Sequence, residues 1–189
     1  MTFGTILPKS HPVLEDFRNH PLFFLAGPIL GSDDWQADMT ALLRKMTGGD
    51  CLVVNPSRYN QDHPLYADRI GGNEDFFDSQ TVWERHYLKL AGESWNFGCV
   101  IFWLPEENVE HPRDDGQPYA RDTRGEISEW RFRLAANRAR VVMGAEPSFP
   151  GLSVIKKNSD DLVPGSLPVL SSLEEVATEA VHRALSRLG

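Results

Sequence analysis

The chain has 189 residues, 41% of them hydrophobic and 24% charged, which is the length and composition of one globular α/β domain. Lysine and arginine total 19 against 27 aspartates and glutamates, a formal net charge of −8. That balance argues against a nucleic-acid backbone or an anionic membrane as the main partner, but not against small anions, which need only a local cluster. No apolar run reaches the ~18 residues of a transmembrane helix, and Met1 to Ser10 lack the basic start and apolar core of a signal peptide. A cytoplasmic protein is therefore expected. Cys51 and Cys99 lie in apolar runs and read as buried free thiols.

Residues 1–20 are polar, contain proline and are aperiodic, so an extended arm is expected. Leu22 to Ala26 is a short continuous apolar run, the pattern of a strand buried on both faces. Gly27-Pro28 breaks it. Gly31-Ser-Asp-Asp34 supplies helix-start chemistry, and Trp35, Met39, Leu42, Leu43 and Met46 follow at helical spacing until Gly48-Gly49. Cys51 to Val54 is a second buried strand, closed by Asn55-Pro56. A long polar loop over 57–77 follows, then a helix over 78–92 with Val82, Trp83, Tyr87, Leu88 and Leu90 on its apolar side. Gly98 to Leu104 is the third strand and 105–121 a second long loop. The pattern predicts a helix over 123–138, a strand over 140–144, a fifth strand at 152–156 and a closing amphipathic helix over 173–188. This alternation predicts a single α/β domain, a flavodoxin-like or Rossmann-like three-layer sandwich with a mostly parallel sheet of four to five strands. Ligands in such sheets bind beyond the carboxyl ends of the strands. Segments 27–34, 55–77, 104–122 and 144–150 leave those ends.

The first of these turns, Ala26 to Gly31, is neither a dinucleotide fingerprint nor a lysine-bearing phosphate loop. Asp33 and Asp34 already occupy the helix start and would repel a phosphate. The turn either passes close to a neutral part of a ligand or is a tight turn without one. Thr123-Arg-Gly-Glu126 matches a capping box, so Glu126 reads either as a cap or as a reactive carboxylate kept ionised by the helix dipole. Gln80 and Glu84 share a helical face, and Glu84 lies amid Trp83 and Tyr87. The histidines show no ligand spacing. Asp114, Asp115 and Asp122 read as a solvated loop more readily than as a cation site, so neither a metal nor another cofactor is expected.

Together the segments resemble the nucleoside 2-deoxyribosyltransferase-like family over about residues 22–144. The marks are Phe24-Leu-Ala-Gly-Pro-Ile29, Trp35, Asn55-Pro-Ser-Arg58, Gln80-Thr-Val-Trp-Glu84, Phe102-Trp103 and Thr123-Arg-Gly-Glu126, in that order. The resemblance implies a flavodoxin-like fold and chemistry at an N-glycosidic bond. A glutamate attacks the anomeric carbon, displaces the nucleobase, and a second base or water then takes the sugar. By this resemblance Glu126 is the nucleophile, and Glu84 falls near a helix aspartate that contacts sugar or base. Asp122 stands in for the acid before the nucleophile, four residues ahead where about six is usual. The catalytic candidates are thus Glu126, Glu84 and Asp122, with Asp122 or Glu84 protonating the leaving base. The substrate-binding candidates are Phe24, Gly27, Pro28, Ile29, Arg58, Gln80, Trp103 and Arg124. Phe24, Trp35, Trp83 and Trp103 are available to stack a base or to pack the core. The family's strand tyrosine is Phe23 or Phe24 here, and Tyr59, Tyr66 or Tyr119 could replace its hydroxyl.

The resemblance implies transfer of a deoxyribosyl group between nucleobases. The alternatives are hydrolysis of nucleoside 5′-monophosphates, with Arg58, Arg69, Arg121 and Arg124 as anion-site candidates, and a non-catalytic nucleotide sensor. The expected partners are a small nucleoside or nucleotide, a nucleobase and further copies of the chain. The apolar side of 173–188 either serves such an interface or covers the sheet.

Overall fold

Runs such as Leu22–Ala26 and Gly98–Leu104 have no polar face, so a strand made from them must be covered on both sides. The computed structural model describes residues 3–12, 19–73, 76–92, 97–136, 140–162, 164 and 168–186. In it the strands form one six-stranded parallel sheet of order β1-β3-β2-β4-β5-β6. They are β1 (Phe3–Ile6), β2 (Leu22–Ala26), β3 (Cys51–Val54), β4 (Gly98–Leu104), β5 (Val141–Ala145) and β6 (Val169–Leu170). The helices are α1 (Trp35–Met46), α2 (Pro64–Ala67), α3 (Gln80–Gly92), α4 (Arg121–Ala136), α5 (Leu152–Leu162) and α6 (Leu173–Leu185). The fold is the expected α/β sandwich with more strands than expected. The chain reverses its winding between β2 and β4, the point where such sheets hold ligands.

The two faces carry separate cores. Phe24, Ala26, Val100, Phe102 and Met143 pack with Trp83, Tyr87, Ile127 and Trp130 of α3 and α4. Phe23, Leu25, Ile101, Trp103 and Val142 pack with Trp35, Met39 and Leu43 of α1 and with Val176, Ala177, Ala180 and Ala184 of α6. The apolar side of α6 thus covers the sheet, while the predicted residues 187–188 lie outside the described ones. Cys51 and Cys99 are buried free thiols, as expected.

Three elements differ from the sequence reading. Residues 3–6 are not part of an extended arm but an edge strand in register with β3, Phe3 opposite Cys51 and Ile6 opposite Val54. Its outer edge is covered in turn, Thr5 N–H donating to Asp68 O (3.0 Å) and Ile70 N–H to Thr5 O (2.9 Å). Residues 152–156 are the first turns of α5, not a strand. Helix α4 starts at Arg121 after Ala120 turns the chain in the left-handed region, φ 55°. Thr123 is therefore inside the helix and buried, and the capping box does not form.

Trp103 belongs to the core, 3% exposed on the α1/α6 side. A Cβ on Gly27 would stand 2.3 Å from Trp103 O and 2.6 Å from the Trp35 ring, so only glycine fits the end of β2. Trp103→Ala is expected to cost about 3–5 kcal/mol in a chemical denaturation experiment. Parent stability in that variant would contradict the core placement.

Candidate active site

Asn55 starts the wall of the site. Its N–H donates to Ile6 O (3.0 Å) and its Oδ1 accepts from Ser57 N–H (2.9 Å), an Asx turn that ends β3 and sends Arg58 toward α3. Arg58 Nε donates to Gln80 Oε1 (2.7 Å). Gln80 Nε2 donates in turn to Glu84 Oε1 (2.8 Å) and Pro56 O (3.2 Å). The i, i+4 spacing read from the sequence therefore becomes a fixed relay from guanidinium to carboxylate.

The turn after β2 forms the opposite wall. Pro28 O accepts from Trp35 Nε1 (2.8 Å), Gln36 Nε2 (3.1 Å) and Ser32 Oγ (3.0 Å), which pins the turn onto α1. Asp34 caps α1 by accepting from Ala37 N–H (3.1 Å). It also accepts from Tyr59 OH (2.7 Å) and from His63 Nε2 (3.1 Å), and the Tyr59 and His63 rings stack at 3.8 Å. The predicted acidic helix start is thus used twice, as a cap and as a clamp on the second loop. Asn108 N–H donates to Gly31 O (2.8 Å) and ties in the third.

These walls enclose a cavity of about 750 Å³ at the carboxyl ends of β2 and β4. It is lined by Phe24, Gly27, Pro28 and Ile29 from β2 and its turn, by Arg58, Gln80 and Glu84, and by Asp122 and Glu126 of α4. All three catalytic candidates and six of the eight substrate-binding candidates therefore meet there. Two binding candidates do not. Trp103 is in the core, and the Arg124 guanidinium lies 5.8 Å from the Phe149 ring centroid, outside the cavity.

Of the aromatic candidates only Phe24 lines the cavity; Trp35 and Trp83 are core residues. None of the tyrosines offered as replacements reaches it either. Tyr119 OH donates to Pro105 O (2.9 Å), Tyr59 OH is held by Asp34, and Tyr66 lies under the Arg69 guanidinium (3.9 Å). Sequence reasoning missed Arg113, a nearly buried wall residue. Its guanidinium is bidentate to Asp115 (2.6 and 2.7 Å) and lies 3.8 Å from Asp122, so two of the three loop acids face an arginine. The acidic run at 114–122 was the signal that such a partner exists. Among the described residues no group of three His, Cys, Asp or Glu side chains is placed to hold a metal ion.

The electrostatics of Glu126 differ from the sequence reading. It lies well inside α4, beyond the reach of free amides at the helix start. Burial pushes its carboxyl up to about 7, helped by Glu84, Asp122 and Glu129. Burial also raises Glu84, opposed by the Gln80 hydrogen bond and the Arg58 charge. The carboxyls thus form an uneven pair: Glu84 has donors that favour its charge, whereas Glu126 is raised by burial and by carboxylate neighbours.

Neither a protein-family model nor a curated protein matches the chain.

The raised carboxyl has a consequence for stability. Glu126 ionises at about 7 when folded against 4.5 ordinarily, so the folded state holds the extra proton between those values and loses stability as pH rises through them. Glu126→Gln is expected to gain on the order of 3 kcal/mol over the parent between about pH 4.5 and pH 8. Denaturation at both pH values measures it, and an equal stability difference at both would contradict the raised carboxyl.

Proposed function

We propose that the chain cleaves the N-glycosidic bond of a 2′-deoxynucleoside and transfers the deoxyribosyl group to another nucleobase. The observation that carries the reading is the meeting of Glu84 and Glu126, from two helices, in one cavity at the switch point of the sheet. The resemblance to the nucleoside 2-deoxyribosyltransferase-like family supports it, since most of the residues that carry the resemblance line this cavity.

In the proposed reaction a Glu126 oxygen bonds to the anomeric carbon as the carbon–nitrogen bond breaks. The electron pair leaves on the base nitrogen, and Glu84 supplies the proton that neutralises it. A nitrogen of the acceptor base then attacks the glycosyl ester, Glu84 takes its proton, and Glu126 leaves as carboxylate. Sugar configuration is retained through two displacements on opposite faces. The Arg58–Gln80–Glu84 relay orients the acid. Phe24 and the Gly27–Ile29 turn supply apolar surface for the sugar or base. Asp122 also lines the cavity and its charge acts on both carboxyls, while Arg121 (2.9 Å) and Arg113 (3.8 Å) offset it.

A second reading exchanges the two roles, and one observation favours it: Gln80 and Arg58 favour the charge on Glu84, while Glu126 holds its proton up to about 7. The pH profile separates the two. A Glu126 nucleophile must be bare, so kcat/KM rises with pH through about 7. A Glu126 acid must be protonated, so kcat/KM falls through the same range.

Chromatography of each 2′-deoxynucleoside with and without a second base tests the reaction itself. A new nucleoside that forms with the parent, and at least about 100-fold more slowly with Glu126→Ala, is the expected result. Base exchange at the parent rate in Glu126→Ala would refute the proposal.

A further inference from the structure

A second cavity, about 580 Å³, adjoins the first and shares Arg58 and Gln80 with it. Among the described residues its charged lining is Lys9, Arg58 and Arg69, with no aspartate or glutamate. In a chain of net charge −8 that is a concentration of one sign where the average is the other. No carboxylate among the described residues pairs with Lys9, Arg58 or Arg69. Asp68, next to Arg69, is turned away and bound to Arg44 (3.1 Å). Arg58 spends Nε on Gln80, which leaves its terminal nitrogens for a ligand.

The backbone at Lys9 makes the same point. Ser10 N–H donates to Leu7 O (3.1 Å), closing a turn with Pro8 and Lys9 at its centre. Lys9 has φ 68°, in the left-handed region where glycine or asparagine fits without strain. A lysine there is not explained by the turn. The turn is also firmly anchored, because Ser10 O accepts from Trp83 Nε1 (2.9 Å) and Ser10 Oγ donates to Ile70 O (3.0 Å).

We infer that this cavity binds the phosphoryl end of the substrate, so that the preferred N-glycoside is a nucleoside phosphate rather than a neutral nucleoside. The inference rests on the proposed N-glycosidic chemistry for what lies in the neighbouring cavity, but the anion site stands on its own cations. Arg58 and Gln80 form the shared wall, so one ligand can place its sugar beside Glu84 and Glu126 and its phosphoryl group between Lys9 and Arg69. Of the four arginines that the sequence offered for an anion site, Arg58 and Arg69 line this cavity and Arg121 and Arg124 do not. Lys9 completes the set because β1 pairs in the sheet, which the sequence did not show.

The test has two arms. Calorimetric titration of the parent with inorganic phosphate and pyrophosphate is expected to give saturable binding that weakens about tenfold in Lys9→Gly and in Arg69→Gln. Lys9→Gly suits the local φ and Arg69 is exposed, so both variants are expected to fold. Absence of saturable binding, or binding equal in the parent and both variants, would overturn the inference. In the second arm, kcat/KM for deoxynucleoside 5′-monophosphates over the matching deoxynucleosides is expected to exceed about 10 and to fall about tenfold in each variant. Cleavage of neutral nucleosides with no preference for the phosphates would overturn the inference and leave the catalytic proposal standing. Phosphate binding that obeys the variants, with no N-glycoside cleaved, would uphold the anion site and refute the catalytic proposal.

Discussion

The amide of Gln80 joins the parts of this site. Its oxygen accepts from Arg58, and its nitrogen donates to Glu84 and Pro56 O. A guanidinium can only donate and a carboxylate can only accept, so an amide between them has one satisfied orientation. That orientation fixes Arg58 at the boundary of two cavities and Glu84 inside one of them. It also favours the charged form of Glu84, while the less supported Glu126 keeps its proton to about 7. Two carboxyls of one type thereby acquire different acidities, in the order that suits the exchanged assignment, with Glu126 as the acid.

The sheet supplies the place for this arrangement. Because winding reverses between β2 and β4, the loops after these strands diverge and leave a crevice over their carboxyl ends. Close packing then holds the crevice in shape. Gly27 lets the turn after β2 lie against Trp103, and Pro28 O collects donors from Ser32, Trp35 and Gln36. Asp34 ties α1 to the second loop through Tyr59 and His63. A carboxyl such as Glu126 is costly to ionise where water is scarce.

The central strands were legible in the sequence because short, wholly apolar runs bounded by Gly, Pro and Asn have few other uses. For the same reason their facing was not legible. A strand without polar residues carries no alternation, so nothing in Gly98–Leu104 says that Phe102 meets α3 and α4 while Trp103 meets α1 and α6. Edge strand β1 escaped notice because Phe-Gly-Thr-Ile is short and its partner Cys51–Val54 is remote in sequence. The run at 152–156 misled because Val154 and Ile155 suit a strand locally, whereas the pattern continues as a helix to Leu162. Glu84 and Glu126 could each be named from motif and spacing, but their meeting depends on how two helices cross one sheet. The acidity of Glu126 was misjudged because the capping box set the helix start too late. Lys9 gave no signal at all, since its position follows from the pairing of β1.

Mass mapping of a trapped sugar is the most direct test of the account. Stopping turnover of a deoxynucleoside or its 5′-monophosphate with acid, then digesting and weighing the peptides, locates any glycosyl ester. The account predicts a deoxyribosyl increment, or its phosphorylated form, on Glu126. The same increment on Glu84, or base release with every peptide unmodified, would contradict it.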